Sequence, residues 1–201
     1  MLRACSLGSG SSGNALVVEA RDGSSVTRVL VDNGFNLKQL ARRLGRAGVS
    51  LDDIDAVLVT HEHSDHVGGV VRFACKADIP VYCSEGTARA AGLTDRGVQW
   101  RELVSGVRQD IGAVVVDPYE VPHDAAEPLQ FVFGDGQRRL GLLTDAGEPT
   151  ARIVAALHRV DALVLECNHD EAMLRTGPYA TFLKTRIAGA RGHLSNAQAA
   201  A

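Results

Sequence analysis

Within the stretch Thr60-His61-Glu62-His63-Ser64-Asp65-His66, three imidazoles and two carboxylates stand almost side by side. Such crowding is unfavourable without a cation, because each group is desolvated and the imidazoles repel one another when charged. Neutral imidazole with carboxylate suits zinc, with manganese or iron as alternatives. The spacing is not the two-histidine helix motif of many zinc proteases. In an extended loop His61 and His63 share a side, because side chains two apart point the same way. Asp65 and His66 follow, free to face a second ion, so one loop offers ligands for two metals.

The elements around this stretch must hold it still. Residues 56–59 are an apolar, β-branched-rich run that reads as a buried strand, and residues 67–74 read as the first turns of a helix. The ligands therefore sit on a strand-to-helix loop, where a rigid scaffold positions side chains well. Upstream, residues 2–7 and 15–19 read as strands joined by Gly8-Ser9-Gly10-Ser11-Ser12-Gly13-Asn14. This is no P-loop, since the closing Gly-Lys-Ser/Thr is absent. It is either a flexible hairpin loop or a loop whose amides and hydroxyls meet substrate phosphate. Residues 29–32 form a third strand, and residues 37–47 show a helical period. Arg42, Arg43 and Arg46 lie on that helix's other face, either solvated or steering phosphate.

Downstream, strands are expected over 80–83, 114–116, 119–121, 129–133 and 138–143, with Pro118 breaking the 114–121 region. Residues 85–93 and 149–158 read as helices. His123-Asp124 and Thr144-Asp145 stand at strand ends. Residues 162–166 read as another buried strand leading to Cys167-Asn168-His169-Asp170, whose residues are expected beside the site rather than on a metal. A last helix over 180–190 precedes His193.

The chain of 201 residues suffices for one domain with a substantial core, and no domain boundary is visible. Its 45% apolar and 22% charged composition is that of a soluble globular protein. No apolar run approaches the roughly 18 residues of a membrane span. A basic-then-apolar leader is also absent. The cysteines Cys5, Cys75, Cys83 and Cys167 are widely spaced, which predicts buried reduced thiols and a cytoplasmic location. A net charge of −3 excludes a global nucleic-acid footprint. Only Lys38, Lys76 and Lys184 are lysine among 21 basic residues. Arginine binds phosphate bidentately, but genome composition explains the bias equally.

His-X-His-X-Asp-His after a buried strand resembles the signature of the metallo-β-lactamase-fold hydrolases. That resemblance implies an αββα sandwich, a mixed α/β fold with one or two metals at the edge of its sheets. It makes His123 the third ligand of a first metal held by His61 and His63. Asp145 becomes an aspartate bridging to a second metal held by Asp65 and His66. Asp124 is then expected to orient the other ring nitrogen of His123. Together with Ser9-Gly10-Ser11-Ser12-Gly13-Asn14, Glu166-Cys167-Asn168-His169-Asp170 and Gly192-His193-Leu194-Ser195-Asn196, the pattern is similar to the YycJ/WalJ group, relatives of ribonuclease Z.

The group implies a phosphodiesterase or exonuclease acting on nucleic acid, DNA before RNA. In it Asp65 orients or deprotonates the water and His193, off the metal, donates a proton or stabilises the oxyanion. One departure stands out. Family members continue to a further strand and a histidine that ligates the second metal, where this chain stops at Ala201. The resemblance therefore implies a C-terminally truncated domain that lacks the usual last strand and helix and holds its second metal weakly. Two other functions share the ligand pattern: a glyoxalase II-like thioester hydrolase and an inactive metal-binding domain.

Overall fold

The computed structural model describes residues 1–201. Two sheets face each other. The first runs β1 (Leu2–Gly8), β2 (Ala15–Asp22), β3 (Ser25–Val31), β4 (Ala56–Leu58), β5 (Val81–Cys83) and β6 (Trp100–Glu102), side by side in chain order. Its first three strands are antiparallel hairpins, and β3 to β6 are parallel. The second sheet has the order β11-β10-β9-β8-β7, built from β7 (Gln109–Ile111), β8 (Val114–Glu120), β9 (Leu129–Gly134), β10 (Arg139–Leu143) and β11 (Ala162–Leu165).

Helices cover both outer faces, and the periodicities say why. Val18, Val29, Val31 and Leu58 of the first sheet meet Val116, Phe131, Phe133 and Leu142 of the second in the central core. The alternate residues Val17, Leu30 and Val57 face outwards onto α1 (Leu37–Arg46) and α3 (Val70–Ala77), through Leu40, Leu44 and Phe73. Behind the second sheet, Tyr119, Val132 and Leu143 pack on Ile153 of α5 (Ala151–Leu157). Period-two alternation thus builds four layers, helix, sheet, sheet, helix. The shorter helices are α2 (Ser64–Val67), α4 (Glu85–Ala90), α6 (Glu171–Thr176), α7 (Thr181–Ile187) and α8 (Asn196–Ala199).

Several sequence expectations need correction. The helix after the histidine motif is two helices, α2 and α3, interrupted at Gly68-Gly69. A Cβ on Gly69 would lie 1.9 Å from the Phe35 carbonyl oxygen, and its amide donates to Asn33 at 2.8 Å. Only glycine lets the chain pass so close to the 33–35 turn. Pro118 does not break β8. Its carbonyl accepts from Gly106 at 2.8 Å, on the side where β7 has already ended, so no ladder bond needs its missing N–H. Residues 162–165 are not a buried strand, because β11 pairs with β10 alone and leaves Ala162 and Leu163 exposed. Of the four free cysteines only Cys83 is buried; Cys5, Cys75 and Cys167 are exposed. Arg43 is not simply solvated. It stacks on the Phe35 ring, 3.9 Å from its centroid, and donates to the Leu7 carbonyl.

Candidate metal centre

The C-terminal ends of β4, β8, β10 and β11 open onto one cavity of about 860 Å³, lined by His63, Asp65, His66, Asp145 and His193 among others. The ordering starts with a residue the sequence reading passed over. Asp32 follows β3 in the left-handed region, φ 57°, which β-branched or bulky residues rarely adopt. That turn aims its buried carboxylate across the sheet end. One oxygen accepts from the Thr60 amide at 2.8 Å. The other accepts from the Thr60 hydroxyl and from His66 Nδ1, each at 2.8 Å.

These bonds set the tautomers. The Thr60 hydroxyl gives its proton to Asp32, so it accepts from His61 Nδ1 at 3.0 Å. His61 Nε2 then carries a lone pair. It is buried and has no hydrogen-bond partner. Burial, followed by the neighbouring His66, pulls the His61 pKa down to about 2, so the ring is neutral. Around that lone pair stand His63 and His123, whose ligating atoms lie with that of His61 within 4.8 Å of one another. His123 Nδ1 donates to the Gly192 carbonyl at 3.0 Å, leaving Nε2 for the site, 3.4 Å from His63 Nδ1. Asp124 therefore does not orient His123 as expected. Its carboxylate is held by Arg186 of α7 and stands on the Nε2 side of His123, at 3.4 Å.

The neighbouring half is built from carboxylates. Asp145 also adopts a left-handed conformation, φ 51°, after β10. Its oxygens reach His66 Nε2 at 3.0 Å and His193 Nδ1 at 3.1 Å. His193 Nδ1 is also 2.7 Å from Glu166, whose other oxygen accepts from the amides of Ala146 and Leu194. Burial opposes charge on these rings, but the carboxylates win: Asp32 and Asp145 push His66 up to about 10, and Asp145 and Glu166 do the same for His193. Burial would raise the Asp145 pKa, yet His193 and His66 hold it well below the carboxylate range.

This donor set fits divalent cations. An orphaned lone pair at His61 faces two more imidazoles. Beside it, a buried carboxylate is compensated by protons that a cation would replace. Of the residues singled out from sequence, the structure brings His61, His63, His66, His123 and Asp145 together. His193, expected apart from the ligands, lies among them, in a triplet with His123 and Asp145. Asp65 stands beside the group, 3.6 Å from His66 Nε2, with its carboxylate held by Asn14 at 3.0 Å. His169 is half-buried on the cavity wall, apart from the donor cluster and turned to Asn168, and Asp170 caps α6 by accepting from the Met173 amide at 2.8 Å. Sequence reasoning missed Asp32 and Asn14, and gave Glu166 no role of its own. An acid ending an apolar strand was the available signal for Asp32.

Two facing sheets with a histidine–aspartate cluster at their shared edge define a metal-dependent hydrolase. Comparison with known proteins agrees. Residues 27–201 match the family described as beta-lactamase superfamily domain. The chain is 37% identical to exodeoxyribonuclease YycJ of Bacillus anthracis, over 96% of this chain and 73% of that protein. It is 36% identical to exodeoxyribonuclease WalJ of Streptococcus pneumoniae, over 94% and 71% respectively. The short form of human tRNase Z, 17% identical, superposes with a TM-score of 0.69 over 98% of this chain and 85% of that one. The chain belongs to the metallo-β-lactamase superfamily, within the group that includes YycJ and WalJ.

Proposed function

We propose that this protein is a nuclease that hydrolyses phosphodiester bonds of nucleic acid, DNA in preference to RNA, as an exonuclease in the cytoplasm. The observation that carries the reading is the double donor set converging on one cavity, together with relatives named as exodeoxyribonucleases. Those names favour phosphodiester over thioester hydrolysis. His61, His63 and His123 would hold a first ion, His66 and Asp65 a second, and Asp145 would lie between them. Zinc suits the imidazole-rich half best. When bound, two such ions supply Lewis acidity for an attacking water and for the phosphoryl oxygens.

The chain's own residues do the rest. Asp65, tethered by Asn14 and part exposed to the cavity, would accept a proton from the attacking water. His193 is anchored through Nδ1 to Glu166, and its Nε2 has no partner in the protein. That nitrogen is free to donate to a phosphoryl or leaving oxygen. Ser9, Gly10 and Ser11 of the 8–14 loop also line the cavity, where hydroxyls and amides can meet phosphate.

The test compares zinc- and manganese-loaded protein on bis(p-nitrophenyl) phosphate, labelled DNA and RNA strands, and a glutathione thioester. Hydrolysis of the phosphodiesters is expected, DNA faster than RNA, with the thioester untouched. His193→Ala should slow turnover by about 10²-fold or more while metal content is kept. A variant that loses metal in step with activity would make His193 a ligand. Thioester cleavage without nuclease activity would overturn the whole reading.

A further inference from the structure

The chain is poor in aromatic residues, with five Phe, three Tyr and one Trp, and it buries six of the nine. Phe35, Phe73, Phe131, Phe133, Tyr82 and Tyr119 belong to the cores. Two stand well out in solvent, Tyr179 at 55% exposure and Phe182 at 75%. They are three residues apart, in the loop before α7 and on its first turn. Tyr179 lines the cavity that holds the metal donors, and so do Leu183, Arg186 and Ile187 of α7. Phe182 and Arg186 are one helical turn apart, hence neighbours on the helix surface. Arg186 fastens α7 to Asp124, whose carboxylate lies 3.7 Å from His63 and 3.4 Å from His123. Tyr179 thus stands on the wall of the site, and Phe182 lies beside it on a helix that Arg186 ties to the site.

Charge marks the same segment. Residues 172–192 contain Arg175, Lys184, Arg186 and Arg191 and no acidic side chain, in a chain whose net charge is −3. Arg175, Arg186 and Arg191 are exposed. An exposed apolar ring is unfavourable in water unless something covers it. Here the cover must be flat, apolar on its faces and attached to negative charge. Unpaired bases on a phosphodiester backbone meet all three demands. A duplex does not, because stacking within it hides the base faces.

We propose that Tyr179 and Phe182 form a stacking platform for bases of a single-stranded nucleic acid, whose backbone passes Arg175, Lys184, Arg186 and Arg191 on its way to the metal centre. The proposal deepens the nuclease reading and rests on it for the nature of the strand. The single-stranded requirement follows from the platform alone.

The test is fluorescence anisotropy on metal-loaded protein, with phosphorothioate-linked oligothymidylate, oligouridylate and a blunt duplex. Binding of both single strands is expected to exceed that of the duplex and to weaken with salt. Tyr179→Ala and Phe182→Ala should each weaken it by about tenfold, and the double variant by about a hundredfold. Phe182→Trp should restore affinity. Phe182→Leu keeps apolar surface without a ring and should bind as poorly as alanine. Val154→Ala, an exposed apolar change on α5, should have no effect.

Wild-type affinity in both alanine variants overturns the platform. So does full binding by Phe182→Leu, which would mark a protein-docking surface, or a dimer in light scattering that Phe182→Ala dissociates. Strand binding that depends on the two rings, in protein that cleaves no unmodified strand, would leave the platform standing and refute the nuclease reading. Cleavage with ring-independent binding would do the reverse.

Discussion

The two halves of the donor cluster are wired differently. In the His61, His63 and His123 half, the ring nitrogens turned away from the centre make their hydrogen bonds to neutral oxygens, the Thr60 hydroxyl, the Asp124 carbonyl and the Gly192 carbonyl. The Asp124 carboxylate, already paired with Arg186, stands farther off, at 3.7 Å from His63. In the His66, Asp145 and His193 half they meet carboxylates, Asp32 and Glu166, and the donors are bonded to one another. A neutral acceptor fixes a ring's tautomer and leaves its lone pair bare. A carboxylate acceptor raises the ring's basicity and draws a proton onto it. The first half is therefore preorganised for a cation, and the second is already satisfied without one.

The sharpest way to break this comparison is to remove the orphaned lone pair. His61→Ala deletes a ring that is 1% exposed and shares ligand-distance groups with both halves. It should abolish phosphodiesterase activity, by well over the 10–100-fold typical of losing a mere supporting partner, and should empty the first half of metal. Metal analysis beside the hydrolysis assay reads both. Unchanged metal content with full loss of activity would mean that the ring acts without ligating.

A milder change takes the carboxylate out of the second half without giving it the neutral acceptor of the first. Asp32→Asn keeps an oxygen for the Thr60 amide but replaces the carboxylate that holds His66. Metal affinity should fall by about 10–100-fold. The buried Nδ1 proton of His66 would lose its acceptor, so stability should fall by about 1–3 kcal/mol. Competition with a chromophoric chelator and a thermal melt measure these. If neither moves, Asp32 is only a turn residue, and the contrast between the halves loses its physical basis.

What the sequence made legible follows the same division. Residues 61–66 announce themselves because the donors are contiguous, and His123 and Asp145, at strand ends, through the family resemblance. Asp32 and Glu166 do not, because they hold no ion. They act through imidazoles 34 and 27 positions away, a pairing visible only once β3, β10 and β11 end at the same edge. Individual strands were readable as apolar runs and α1 from the helical period of residues 37–47, whereas the four-layer arrangement followed only from the resemblance to the metallo-β-lactamase fold. The division of α2 from α3 was not, since Gly68-Gly69 signals a break only when the 33–35 turn is seen lying against it. The exposure of β11 escaped for a related reason: an apolar run has the same composition at a sheet's edge as at its centre.

The smallest expected effect is the most direct measure of the contrast. Before an ion can sit between His66 and Asp145, it must displace the 3.0 Å bond between them. The Asn14 side chain, whose amide nitrogen sits 3.0 Å from His66 Nε2 while donating to Asp65, must also move aside. No such bond guards His61 Nε2. Hydrogen bonds to charged groups contribute about 1.5–3 kcal/mol, and part of that is recovered when the same donors bind the ion. A difference of roughly 1.4 kcal/mol would remain, about tenfold in affinity. Calorimetric titration of zinc into stripped protein should therefore resolve two sites, the first tight and the second about tenfold weaker. His61→Ala should erase the tight step, and Asp145→Ala should blunt both. Two sites of equal affinity would show that the hydrogen bonds of the carboxylate half offer no resistance to an ion, and that the two halves differ in wiring but not in function.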